Sequence, residues 1–126
     1  MSDLKKQLRP EILSIVKTAN FSTLEKFQNE VIRPIIKMQH NLFLGFFKNY
    51  LQKRKIDFSI LTESEKRSKV SSVFKTDNNY KNTTLGFVLG QFSLDEFNAY
   101  TNNSSEINKR ILQIILQRIK DSISEV

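Results

Sequence analysis

Between Pro34 and Lys55 the apolar side chains recur at intervals of three and four residues along two adjoining lines. Ile35, Met38, Leu42, Phe46 and Tyr50 form one line, and Ile36, Phe43, Phe47 and Leu51 form the other. That spacing is helical, and two adjoining lines make an apolar face wider than a surface helix needs. Only Lys37, Asn41, Gly45, Lys48 and Gln52 leave a narrow strip free of large apolar groups. The pattern predicts a central helix over about 34–55, buried by its neighbours, with Phe43, Phe46 and Phe47 in the core. Lys53, Arg54 and Lys55 should emerge into water at its end.

The rest of the chain reads as helices sized to cover that one. Pro10 suits the first position of a helix over about Arg9 to Thr18, where its missing N–H costs nothing. Asn20 to Ser22 breaks it, and Ser22 stands three residues before Glu25, the spacing of a capping box. A helix through Leu24, Phe27 and Val31 should follow, with a kink or a fresh start at Arg33 because Pro34 disfavours helical geometry there. Phe58, Ile60 and Leu61 are expected to tuck a loop onto the core. Thr62 with Glu65 repeats the capping-box spacing and opens a helix bearing Val70, Val73 and Phe74. The run Thr76 to Asn79 reads as a turn.

Residues 80–92 carry some strand preference at Thr83, Thr84 and Val88, but helix is the better assignment. Gly86 and Gly90 are four apart and would leave a flat strip for close helix packing. Ser93 with Glu96 is a third capping-box pair, opening a short helix with Phe97 and Tyr100, and Asn102 to Ser105 interrupts again. From about Ser105 to Ser124, Ile107, Ile111, Ile115, Ile119 and Ile123 recur every fourth residue, a stripe expected to cover the chain's own core rather than zip to a partner. The fold expected is all-α: one domain over 1–126, a bundle of about six helices around the central one.

Ten Phe and three Tyr make that core aromatic. The absence of cysteine excludes disulfides and thiolate sites. No segment resembles a secretory signal or reaches the ~20 apolar residues of a membrane span, so a soluble, cytoplasmic protein is expected. The net charge of +7 is uneven: residues 71–126 are neutral, and the whole excess falls in the first seventy. It is densest around Lys48, Lys53, Arg54, Lys55, Lys66, Arg67 and Lys69. A one-sided patch of this kind attracts phosphate or an acidic surface, whereas charge spread over helix ends only keeps a protein in solution.

Catalytic chemistry is thin. His40 is the single histidine, so a multi-histidine metal site is excluded; it falls on the apolar side of the central helix and reads as a largely buried, hydrogen-bonded residue. Glu30, Arg33 and His40 could meet at one helix junction. Asp95 and Glu96 read as charges favoured by a helix N-terminus. Nucleotide-binding glycine motifs, a nucleophile elbow, zinc-finger spacing and RNP-type aromatic strands are all missing. No catalytic residue, metal or cofactor is assigned.

Three stretches carry a resemblance: RPIIKMQHNLF (33–43), LGFVLGQFSLDEFNAY (85–100) and NNSSEINKR (102–110). Together they resemble a small, uncharacterised helical family of Bacteroidetes, especially flavobacteria, whose members share patterns like LRPILK-x-Q, G-x-V-x-G-Q-F-[ST]-x-E-E and NSS-x-x-N-[KR]-R. The similarity runs from about residue 20 to 120. Members often bear the label "glyoxalase", which would imply a metal held by several His and Glu ligands; one histidine on an all-helical pattern does not supply that set. The resemblance implies a bacterial, cytoplasmic setting and transfers no catalytic residue.

Two functions follow as expectations. One is a non-catalytic basic binding module contacting RNA, on a ribosome for example, or an acidic protein. The alternative is a small enzyme or small-molecule binder with a pocket near Glu30, Arg33 and His40.

Overall fold

Pro34 has no N–H for the helical ladder, and its ring collides with the carbonyl four residues back in a regular α-helix. The computed structural model, which describes residues 23–126, resolves this conflict by widening the helix. Thr23–Phe27 (α1) leads into a π-helical turn, Gln28–Ile32, and Arg33–Met38 (α2) resumes the α-helix. The Arg33 N–H donates to the Gln28 carbonyl, five residues back. Arg33 is helical at φ −61° and ψ −43° and a fresh α-helix starts there, as expected, but a π turn joins it to the helix before it without a loop. The helix expected over 9–18 and the Ser22 cap lie outside the described residues.

Five further helices follow: His40–Lys53 (α3), Glu63–Thr76 (α4), Asn78–Leu89 (α5), Leu94–Thr101 (α6) and Ser104–Asp121 (α7), with short 3-10 turns at Phe58–Ile60 and Ile123–Glu125. No strand occurs among the described residues, and the all-α, single-bundle expectation holds. None of the described helices is long and apolar enough to cross a membrane.

The stretch over 34–55 is two helices, not one. Gln39, at φ −96° and ψ 14°, separates α2 from α3, and its side-chain amide donates to the Phe87 carbonyl in the last turn of α5 at 3.0 Å. The break swings α3 so that only one side is covered. Phe43, Leu44, Phe47 and Leu51 are buried, Phe46 is half-buried, and Leu42 is 46% exposed. The two-line face was therefore read too wide, and Leu44, on neither line, belongs to the core.

The isoleucine stripe of α7 does more to organise the bundle. Ile107, Ile111, Ile115 and Ile119 are all 2% exposed or less. A repeat of four on a helix of 3.6 residues per turn drifts by roughly 40° per step. The stripe thus winds part-way round α7, which lets it pack against α2, α3, α4, α5, α6 and the π turn in succession. The interruption after Asp121 starts the second 3-10 turn, and Ile123 caps the stripe from there, also buried.

Local capping sets most of the helix starts. Thr62 with Glu65 and Ser93 with Glu96 each form the full reciprocal box. The turn expected over Thr76 to Asn79 shrinks to one residue: Asp77 ends α4, and its Oδ1 accepts the Tyr80 N–H at 3.0 Å to start α5. Asp57 caps the first 3-10 turn through Ser59, which buries Phe58 but leaves Ile60 77% exposed, so Ile60 does not tuck onto the core. Phe97 is also partly outside. Among the described residues, a Cβ on Gly86 would touch nothing within 4 Å, and one on Gly90 would come within 3.1 Å of the Gly86 carbonyl in α5.

Candidate functional site

The sequence-predicted basic residues divide between α3 with the residues at its end and the first half of α4. Lys53 and Arg54 leave α3 beside a small cleft of about 170 Å³ formed with Tyr50, Asp77 and Tyr80. Arg54 is not free there. Its guanidinium carbon lies 3.9 Å from the Tyr50 ring centroid, and Nη2 donates to Asp77 Oδ2 at 3.0 Å. Asp77 also accepts the Tyr50 hydroxyl at 2.9 Å. The Tyr80 N–H, with that hydroxyl and the Arg54 charge adding to it, holds the Asp77 carboxyl below the usual carboxylate range. Burial, followed by the Asp77 bond and charge, pushes the Tyr50 hydroxyl up. Tyr80, 3% exposed, keeps a buried hydroxyl with no hydrogen-bond partner among the described residues, and that burial pushes its pKa up as well. Lys55 follows Arg54 with φ 56°, which turns the chain away from α3.

Lys66, Arg67 and Lys69 lie on α4. Lys66 Nζ stands 5.9 Å from the Phe58 ring centroid, and Arg67 Nη1 donates to the Lys120 carbonyl of α7 at 3.1 Å. Arg67 therefore clamps α4 to α7 at the floor of a shallow groove. Lys75 and Lys120 line the same groove, with Ser64, Ser68, Ser71, Ser72 and Thr76 and a single acid, Glu63, among the described lining residues. Lys75 and Lys120 were not singled out from sequence, because the C-terminal half is neutral in sum. The signal available was the serine spacing of 64, 68, 71 and 72, which places four hydroxyls on one helical side. Lys48 is exposed on α3 and lines none of these clefts.

The alternative trio is only partly assembled. Arg33 lines a third cleft, of about 470 Å³, together with Arg110 and Arg118 of α7. Glu30 is exposed and does not line it. His40 stands at its edge, half-buried at 25% side-chain exposure rather than sunk in the core. Arg118 Nη1 donates to His40 Nδ1 at 3.3 Å, and His40 Nε2 lies 3.5 Å from Glu125 Oε1. Since arginine only donates, Nδ1 is the accepting nitrogen and Nε2 carries the proton. The break at Gln39 rotates His40 out to this rim.

Among the described residues no group of three or more His, Cys, Asp or Glu side chains is placed to hold a metal ion. Comparison of the chain with protein-family models, with curated proteins and with solved structures finds no match in any of the three.

Proposed function

We propose that this protein is a non-catalytic binding module whose α4–α7 groove receives the phosphate backbone of RNA, in a bacterial cytoplasm. The observation that carries the reading is the groove's lining among the described residues: Arg67, Lys75 and Lys120 with four serines and one threonine, against the single acid Glu63. Cations supply long-range attraction to phosphate, and hydroxyls donate to phosphate oxygens or to ribose 2′-OH groups. The groove is open rather than enclosed, and from Ser64 to Thr76 it runs roughly 18 Å along the helix at 1.5 Å per residue. That shape suits an extended polyanion better than a small molecule. Lys66 and Lys69 on the same helix add to the positive potential around it.

Retention of the protein on single-stranded RNA at increasing salt tests this. Wild type should bind at low salt, with log affinity falling by roughly 0.7 per phosphate contact for each unit of log salt. Lys75→Glu with Lys120→Glu should weaken binding by about tenfold or more and flatten the slope, with the fold intact. Equal binding by the two proteins, or none by either at low salt, removes the reading. Binding of an Asp/Glu-rich peptide in preference to RNA would make the partner an acidic protein.

A further inference from the structure

A different side of α7 carries a second charged feature, independent of the RNA reading. Arg33 from α2 and Arg110 and Arg118 from α7 converge on one cleft of about 470 Å³, a volume within the range of small-molecule sites. Each guanidinium is aimed by a neutral acceptor. Arg33 Nε donates to Asn29 Oδ1 at 3.1 Å, Arg110 Nη1 to Gln28 Oε1 at 3.0 Å, and Arg118 Nη1 to His40 Nδ1 at 3.3 Å. Gln28 and Asn29 both belong to the π turn that Pro34 demands, so that local widening is what presents two of the three aiming groups.

No carboxylate is hydrogen-bonded to any of these arginines among the described residues. Glu106 Oε1 comes within 3.5 Å of Arg110 Nε, but that Nε is buried with no hydrogen-bond acceptor. Asp121, the one acid among the described lining residues, accepts instead from Gln117 Nε2 at 2.8 Å. Three like charges facing one cleft repel one another, and each carboxylate bonded to them would relieve that repulsion. Arg33 and Arg118 are aimed by neutral groups that leave their charge in place, as a receptor for an oxyanion requires, while Glu106 offsets part of the Arg110 charge. Guanidinium forks match the oxygens of phosphate and carboxylate in pairs.

We propose that the cleft between α2 and α7 binds a small phosphate monoester through Arg33, Arg110 and Arg118. Asp121 lines the cleft and Glu106 stands 3.5 Å from Arg110 Nε, so the three arginines leave a net positive charge, which favours an anion such as a phosphomonoester. Gln113 and Gln117 offer amide donors beside the arginines, and Ile114 gives the organic part of the ligand an apolar wall.

Calorimetric titration with glycerol phosphate, with citrate and sulfate as parallel probes, tests the site. Wild type should bind glycerol phosphate, and Arg33→Gln with Arg118→Gln should weaken it by about tenfold or more. Both side chains reach solvent, so the double variant should keep its unfolding midpoint, and circular dichroism checks that. Lys75→Glu with Lys120→Glu should leave glycerol phosphate binding unchanged, which separates this site from the RNA groove. No heat of binding in wild type, or equal affinity in the arginine variant, overturns the proposal. Tighter binding of citrate overturns the phosphate assignment and makes the ligand a polycarboxylate. Equal binding of sulfate shows that the cleft recognises no organic part.

Discussion

The Tyr50 hydroxyl donates to Asp77 Oδ2 at 2.9 Å, which ties the end of α3 to the single residue joining α4 and α5. The same carboxylate caps α5 and accepts from Arg54, so three helices meet on one side chain. Asp77→Ala should cost roughly 0.5–2 kcal/mol as a lost cap alone, read from urea unfolding. Folding lowers the Asp77 pKa, so the folded protein takes up this proton less readily than the unfolded chain. Its contribution is full above the ordinary carboxylate pKa of about 4 and fades as pH falls through the lower folded value. The wild-type loss of stability on acidification should be steeper than that of Asp77→Ala.

Arg54 and Lys53 are neighbours with different consequences. Lys53 is exposed, whereas Arg54 stacks on Tyr50 and pairs with Asp77. Lys53→Glu should leave stability within about 0.5 kcal/mol, the usual range for surface changes. Arg54→Glu sets a second carboxylate against Asp77 and should lower the melting temperature, with added salt recovering part of the loss. Equal effects of the two would show that the stacked pair contributes nothing.

Core substitutions separate the two sides of α3. Phe47 is fully buried and meets Phe58, Tyr50 and Tyr80 at ring-centroid distances of 5.8, 6.3 and 6.2 Å. Phe47→Ala should cost about 3–5 kcal/mol. Leu42→Ala, on the open side, should cost less than about 0.5 kcal/mol. Similar losses at both positions would mean that α3 is buried all round, as the apolar pattern alone suggested.

Element type was legible in the sequence because the local signals are strong: Thr62 with Glu65 and Ser93 with Glu96 cap helices as their spacing says, and the α7 stripe is buried as its period says. Orientation was not. Nothing in the run from Ile35 to Leu51 marks Gln39 as a break, because its conformation depends on an amide bond to Phe87, 48 residues on. That one residue moves Leu42 and His40 outward. Pro34 marked the place where a fresh α-helix starts, but not the π turn that joins it to the helix before. The clefts were legible only in part, since they take cations from segments far apart, such as Arg33 with Arg118 or Arg67 with Lys120, and charge counted along the chain averages these away.

Glycines in open helix interiors offer gains. Among the described residues, a Cβ on Gly45 or on Gly86 meets no atom within 4 Å. Alanine at either position should stabilise by up to roughly 1 kcal/mol, through helix propensity and a less flexible unfolded chain. A loss at Gly86 would indicate that a partner surface approaches α5 there.

The winding isoleucine stripe also bears on the order in which the protein acquires its shape. Helices α2 to α6 are all synthesised before the one surface they share. Until α7 is synthesised, the apolar sides that will face Ile107, Ile111, Ile115 or Ile119 lack that cover. Completion of the core therefore awaits α7, whereas the aromatic contacts that join α3, α4 and α5 do not require it. Apolar surface left open in that interval is what aggregation and chaperones act on.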